Sequence, residues 1–219
     1  MSFIEDPRAV AANLSVRAAL AGHGARLLEI VQQSRALIGG HFRLQGQGHS
    51  PVYLRFRQIG REPAWVTDVA TILLDSLPRM ATFSKVLAPE SAGYHLGRAV
   101  ADVAGVELAV AKIDMARRPA RELRSGTIDR GDYVLVVNDV VATGGSLEAL
   151  REAVTAQGGH VAGLIVFATL VETAFDALAT RWGGPAHAAC AGRWAIYPKG
   201  VGCPMCAAGQ ELVPGLELN

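Results

Sequence analysis

A chain of 219 residues, half of them hydrophobic and 19% charged, with a formal net charge of +1, holds enough apolar material for one large core. It has no charge excess to draw it to nucleic acid or to an anionic membrane. Its longest uncharged apolar run, Val161 to Val171, is too short to cross a bilayer; no basic, apolar, small-residue leader opens the sequence, and three cysteines argue against a disulfide framework, so a soluble cytoplasmic protein is expected.

The first fifty residues read as an added N-terminal piece. Ser15 is placed to cap a helix reaching about Leu37, with apolar Leu20, Leu27, Leu28 and Val31 along it, and Gly39-Gly40 is expected to end it. "SPVYLRF" then reads as a strand. From Pro63 the stretch "PAWVTDVATILLDSL" places Trp65, Val66, Val69, Ala70, Leu73 and Leu77 on one helical stripe, with proline at the first turn. "KVLA" is a strand, "YHLGRAVADVAG" a helix, "ELAVAK" and "YVLVVN" strands, "SLEALREAVTAQ" a helix and "HVAGLIVFATLV" a long buried strand. Near-continuous Val, Leu and Ile strands separated by single helices predict an α/β fold with a central, mainly parallel sheet covered on both faces. One segment breaks this rhythm. Asp114 to Arg130 carries five arginines (117, 118, 121, 124 and 130) and no apolar periodicity, which suits either a solvated loop or a lid that closes on an anion.

The stretch "VLVVNDVVATGGS" concentrates the chemistry. Asn138 and Asp139 stand at the carboxyl end of an apolar strand, where parallel sheets present residues to ligands. Ala142, Thr143, Gly144, Gly145 and Ser146 follow at a helix start, where small residues, hydroxyls and unpaired amides favour a phosphate. The whole stretch resembles the phosphoribosyl-pyrophosphate signature of type I phosphoribosyltransferases, in which a strand ends in two acidic residues, two apolar residues and a Thr/Gly/Ser phosphate loop. "PESAGYHLGRAVADVAGVELAVAK" is similar to the family's pyrophosphate loop and its following helix and strand, and "FRLQGQGHSPVYLRFR" to a segment of the orotate enzymes, the members this chain is most like.

The resemblance implies a type I phosphoribosyltransferase-like core at residues 62–183, an N-terminal hood at 1–61 and a C-terminal extension at 184–219. It also implies Mg²⁺-dependent transfer of phosphoribose from phosphoribosyl pyrophosphate to a small aromatic base, and a homodimer. On that reading Asp139, with Asn138, faces the ribose and its developing positive charge, and Thr143 to Ser146, entered through Val140 and Ala142, hold the 5-phosphate. Glu90, Ser91, Ala92 and Gly93 lie along the pyrophosphate. Lys112, Arg117 and Arg118, with Arg121, neutralise it as it leaves, while lid closure excludes water. Phe42 and Tyr53 are candidates to stack on the base, or else core packing. His95, His41 and His49 are further candidate ligand-side donors.

Three departures bear on the acceptor. Asn138 stands where the family usually has a first acidic residue, which removes one formal charge. The lysine usual near Gln45 is absent. Arginines, poor proton donors at neutral pH, replace the lysines and histidine of the orotate enzymes' loop. A purine acceptor, or a regulator that binds the sugar phosphate without chemistry, are the alternatives; no helix-turn-helix or basic arm accompanies the latter. In the tail, Cys203-Pro-Met-Cys206 could present two thiolates to a zinc ion, with Cys190 and His187 completing a four-ligand set. Some orotate-type enzymes end in a similar Cys-Pro-x-Cys, which makes a packed hook the other reading.

Overall fold

The computed structural model describes residues 14–17, 22–44, 47–78, 82–90, 92–112 and 122–215. In chain order the elements are β1 (Leu14–Val16), α1 (Gly24–Ser34), β2 (Leu37–Arg43), β3 (His49–Leu54), α2 (Phe56–Ile59), α3 (Pro63–Asp75), β4 (Lys85–Pro89), α4 (Ala92–Ala104), β5 (Glu107–Ala111) and β6 (Leu123–Ser125). They continue with β7 (Tyr133–Val141), α5 (Gly145–Ala156), β8 (His160–Thr169), α6 (Glu172–Trp182), β9 (Ala186–Gly192), α7 (Pro204–Ala207) and β10 (Val213–Pro214).

Seven strands form the main sheet in the order β1-β9-β8-β7-β4-β5-β6. The five inner strands are parallel, and β1 and β6 close the two edges antiparallel. Alternation along β7 and β8 divides the core. Leu135, Val137, Ile165 and Phe167 face the layer of α1, α3 and α4, while Val134, Val136, Leu164 and Val166 face α5 and α6. Both faces are dry, which is why these strands read as continuous apolar runs. Phe56 of α2 meets Phe167 edge-on, with ring centroids 5.1 Å apart, and so ties the N-terminal segment to the sheet. At the amino-terminal edge, buried Lys85 reaches Asp129 and Asp132 at 3.2 Å each.

A second, small sheet in the order β10-β2-β3 forms the hood. Here the chain departs from the helix expected between Ser15 and Leu37. Ser15 lies in β1, paired with Ala191 of β9, and α1 ends at Ser34 because Arg35 turns left-handed (φ 52°). Leu37 and Gly39-Gly40 belong to β2, whose pairing with β3 shifts register between Gly39 and Phe42; the two glycines mark a bulge rather than a helix stop. The strand read through Phe56 ends at Leu54, and β7 runs three residues past Asn138. Of the arginine-rich segment, Leu123–Ser125 forms edge strand β6, whereas Arg117, Arg118 and Arg121 lie outside the described residues.

Candidate active site

The sheet order fixes where a ligand can sit. From β4 the chain steps through α4 to β5 on one side; β7 then returns to the other side of β4, and β8 and β9 continue away from it. The carboxyl ends of β4 and β7 are therefore a topological switch point, where a crevice opens between helices on opposite faces of the sheet. Pro89 and Glu90 end one strand, and Asn138 to Val141 end the other.

Asn138 is 4% exposed and links the two loops. Its Nδ2 donates to Ser146 Oγ at 3.3 Å, and its Oδ1 accepts the Asp139 backbone N–H at 2.9 Å. On the α4 side, a Cβ on Gly93 would fall 2.8 Å from Asn138 Oδ1 and 2.5 Å from Pro89 Cγ. Only a glycine lets α4 start this close to the polar pair. Gly93→Ala is expected to destabilise the fold by about 1–3 kcal/mol and to displace Asn138. Denaturant unfolding alongside turnover measures both, and a variant indistinguishable from the parent in stability would refute the close approach.

Asp139 is buried, and burial pushes its carboxyl up to about 6, against the opposing pull of the Val140 and Asp139 backbone N–H groups. Its ionised form is therefore costly in the free protein, and a positive charge arriving nearby would stabilise it. After it, Gly144 precedes α5 at its N-cap, turns left-handed at φ 85° and gives the helix no side-chain cap. The first-turn amides are left for an acceptor from outside the helix, and the dipole favours an anion there. Glu148 in that same turn is ion-paired with Arg151 and Arg181. Burial would raise its pKa, but hydrogen bonds from Arg181 and Arg151, both at 3.0 Å, hold it below the usual carboxylate range. Thr143 is exposed at the loop tip, Gly145 and Ser146 are half-buried, and Val140 and Ala142 pack against the α1, α3 and α4 layer.

The remaining candidates scatter around this centre. The Glu90 N–H donates to Ala111 O at 2.9 Å, and its carboxylate lies 3.9 Å from Arg124 Nε. Lys112 is exposed at the end of β5, with its N–H bonded to Glu122 O at 3.2 Å. The Glu90–Arg124 pair was not singled out from the sequence; the arginine density of its segment was the available signal. Ser91, the Ala92 side chain, Gln45, Arg117 and Arg118 lie outside the described residues. Exposed His95 lies against Tyr94 and beside Gly60. Phe42 and Tyr53 are in the hood sheet, not at the switch point: Phe42 is 4% exposed, with its ring centroid 5.7 Å from that of Tyr53.

The four-residue zinc set read from the sequence is corrected. His187 and Cys190 lie on β9 of the main sheet and take no part in the donor cluster that Cys203 and Cys206 form among the described residues. Cys190 lies in the main core, and burial pushes its thiol up to about 12. Cys203 and Cys206 converge instead with His41 and His49 of the hood.

A parallel sheet with a buried carboxylate and an uncapped helix N-terminus at its switch point defines an α/β protein with a candidate ligand crevice at its strand ends. The phosphoribosyl transferase domain family matches residues 57–183. An orotate phosphoribosyltransferase from Thermus thermophilus is 31% identical over 187 residues, covering 85% of this chain and 97% of that one. Another from Heliobacterium modesticaldum is 30% identical over 196 residues, covering 87% and 96%. Among solved structures, orotate phosphoribosyltransferase from Aeropyrum pernix superposes with a TM-score of 0.62 at 23% identity, over 75% of this chain and 93% of that one. The chain belongs to the phosphoribosyltransferase family and, within it, is most like the orotate enzymes.

Proposed function

We propose that the protein transfers 5-phosphoribose from phosphoribosyl pyrophosphate to a ring nitrogen of orotate or a related aromatic acid. The ribose C1–oxygen bond to pyrophosphate breaks, a C1–nitrogen bond forms with inversion as that nitrogen gives up its proton to solvent, and pyrophosphate leaves with the bonding electrons. The observation that carries this reading is the juxtaposition of the uncapped α5 N-terminus with Asp139 and Asn138. It offers a phosphate seat close in sequence to a carboxylate able to face a cationic ribose. Asp139 is the carboxylate available to Mg²⁺. With an amide at position 138, this donor set fits an ion carried mainly by the substrate's phosphates rather than a resident protein cage. Mg²⁺, when bound, neutralises charge on the departing pyrophosphate. A homodimer in the cytoplasm accords with the family resemblance, and no helix among the described residues is long and apolar enough to cross a membrane.

The test is pyrophosphate release by the purified chain with phosphoribosyl pyrophosphate and Mg²⁺ across orotate, uracil, adenine, hypoxanthine, guanine and nicotinate. Release with orotate alone is the expected result, and release with a purine alone would reassign the acceptor. Binding of phosphoribosyl pyrophosphate with no release from any base would favour the second reading, a regulator, which the missing charge at Asn138 motivates. Ser146→Ala removes both a phosphate-loop hydroxyl and the partner of Asn138 Nδ2. It is expected to raise the KM for phosphoribosyl pyrophosphate about 5- to 10-fold, the worth of one hydrogen bond of about 1–1.5 kcal/mol. An unchanged KM would remove Ser146 from the phosphate seat.

A further inference from the structure

We propose that the hood carries a closed, structural zinc site made by His41, His49, Cys203 and Cys206, a site independent of the transferase reading. One donor atom from each residue lies within 4.8 Å of the others. Cys203 Sγ and Cys206 Sγ each lie 3.6 Å from His41 Nε2, and Cys206 Sγ lies 3.2 Å from His49 Nδ1. The two ring nitrogens are 2.9 Å apart. A tetrahedral ion at ordinary Zn–N and Zn–S lengths sets nitrogen and sulfur about 3.6 Å apart and two nitrogens about 3.3 Å apart. The four donor pairs with these distances thus match a tetrahedral shell to within about 0.4 Å, and all four donors lie within 4.8 Å of one another, close enough to draw in around one ion.

Hydrogen bonding among the four groups does not explain the convergence. His41 Nδ1 sits 3.1 Å from Gln210 O, and a carbonyl only accepts, so Nδ1 carries the proton and Nε2 presents a bare lone pair. Three groups, the His49 nitrogen and both thiols, crowd that one lone pair. A cation that takes one lone pair from each of the four resolves the crowding. The Gln210 carbonyl then plays the part of the outer partner that orients a ligating histidine. Two thiolates and two imidazoles in a tetrahedral array select zinc over the oxygen-preferring cations.

The elements fit a staple. His41 and His49 lie on the β2–β3 hairpin, and Cys203-Pro-Met-Cys206 enters the short helix α7. His49 and Tyr197 exchange backbone hydrogen bonds at 2.9 Å, and β10 pairs with β2 at Val213 and Phe42. The ion would therefore bind the C-terminal segment to the hairpin that carries Phe42, joining parts of the chain some 160 residues apart. With four protein ligands no coordination position stays open, which makes the site structural rather than catalytic.

The full-length chain, purified without chelators or added metal, is expected to hold about one zinc ion per chain by elemental mass spectrometry. After zinc is stripped under reducing conditions, Co²⁺ should give the thiolate charge-transfer and intense d–d bands of a tetrahedral S₂N₂ site, saturating at one equivalent. Cys206→Ser and His49→Ala should lose that spectrum, while Cys190→Ala should retain it. Wild-type protein that carries no zinc and gives no tetrahedral Co²⁺ spectrum would overturn the proposal, as would a full spectrum in Cys206→Ser. Should the variants fail to fold, the wild-type Co²⁺ titration decides alone. Pyrophosphate release plays no part in these readouts, so failure of the transferase reading would leave them standing.

Discussion

Asp139→Asn should raise the melting temperature at pH 7.5 while lowering kcat/KM by about 10²- to 10³-fold. The stability half follows from the sign of the pKa shift. The Asp139 carboxyl titrates near 6 in the folded protein against an ordinary 3.8, so the fold favours the neutral acid. That favourable contribution is fully present below pH 3.8 and is lost as pH rises through about 6, where the buried group ionises. The difference corresponds to about 3 kcal/mol. An asparagine keeps the shape and removes the charge. Because one amide cannot replace both accepted N–H bonds, a gain of about 1–3 kcal/mol is expected, or roughly 2–4 °C per kcal/mol for a chain of this size. Melting curves of both proteins between pH 4 and 8 check it. The curves should converge at the acid end and separate through pH 6. A variant less stable than the parent at pH 7.5, or a gap that ignores pH, would remove the premise that Asp139 is ionised at a cost. In the parent, kcat/KM should rise along an acid limb centred near pH 6, provided the ionised form faces the ribose.

The same residue shows why much of the site was legible in the sequence. A polar pair at the end of an apolar strand, followed by a Thr-Gly-Gly-Ser turn and a helix, can be read without knowing what lies beside it, because strand, turn and helix are local. Strands β4, β5, β7 and β8 and helices α3, α4 and α5 were legible for the same reason: continuous apolar runs and 3.6-residue stripes mark dry sheets and their covering helices. Strand β9 was not. Its sequence, "AHAACAG", has little intrinsic strand preference, and it is a strand because β8 and β1 pair with it on either side. Helix α6 buries only Phe175 and Leu178 and leaves a weak stripe. The metal-type cluster failed for a different reason. The Cys-x-x-Cys could be seen, but its partners lay about 160 residues upstream in a hairpin interrupted by Gly39-Gly40, where no periodicity announced a strand. Cys190 and His187, nearer in sequence, belong instead to β9 of the main sheet, outside the donor cluster.

The second large effect is expected from restoring the charge at the neighbouring position. In Asn138→Asp, the new carboxylate can still accept the Asp139 N–H, and the Ser146 hydroxyl, which now accepts from Asn138 Nδ2, can rotate to donate instead. The geometry therefore survives, and electrostatics decide the outcome. Two carboxylates at adjacent buried positions repel, so their titration becomes that of a coupled pair with its upper apparent value above 6. The free protein should lose about 1–3 kcal/mol of stability at neutral pH. In the reaction that second charge faces a ribose turning cationic, and kcat/KM should rise about tenfold at pH 8, with the acid limb displaced upward so that the gain shrinks toward pH 6. Steady-state kinetics at both pH values, with the acceptor identified by pyrophosphate release, measure it. A variant that binds phosphoribosyl pyrophosphate yet, like the parent, turns over nothing would point to a regulator whose Asn138 belongs to a sensing site. A working parent whose rate is unmoved would place position 138 outside the reach of the ribose. Exchanging the pair, with aspartate at 138 and asparagine at 139, separates total charge from placement. With 10²- to 10³-fold lost at position 139 and about tenfold regained at position 138, the exchanged protein should stay about 10- to 100-fold slower than the parent; recovery to the parental rate would show that the crevice reads only its total charge.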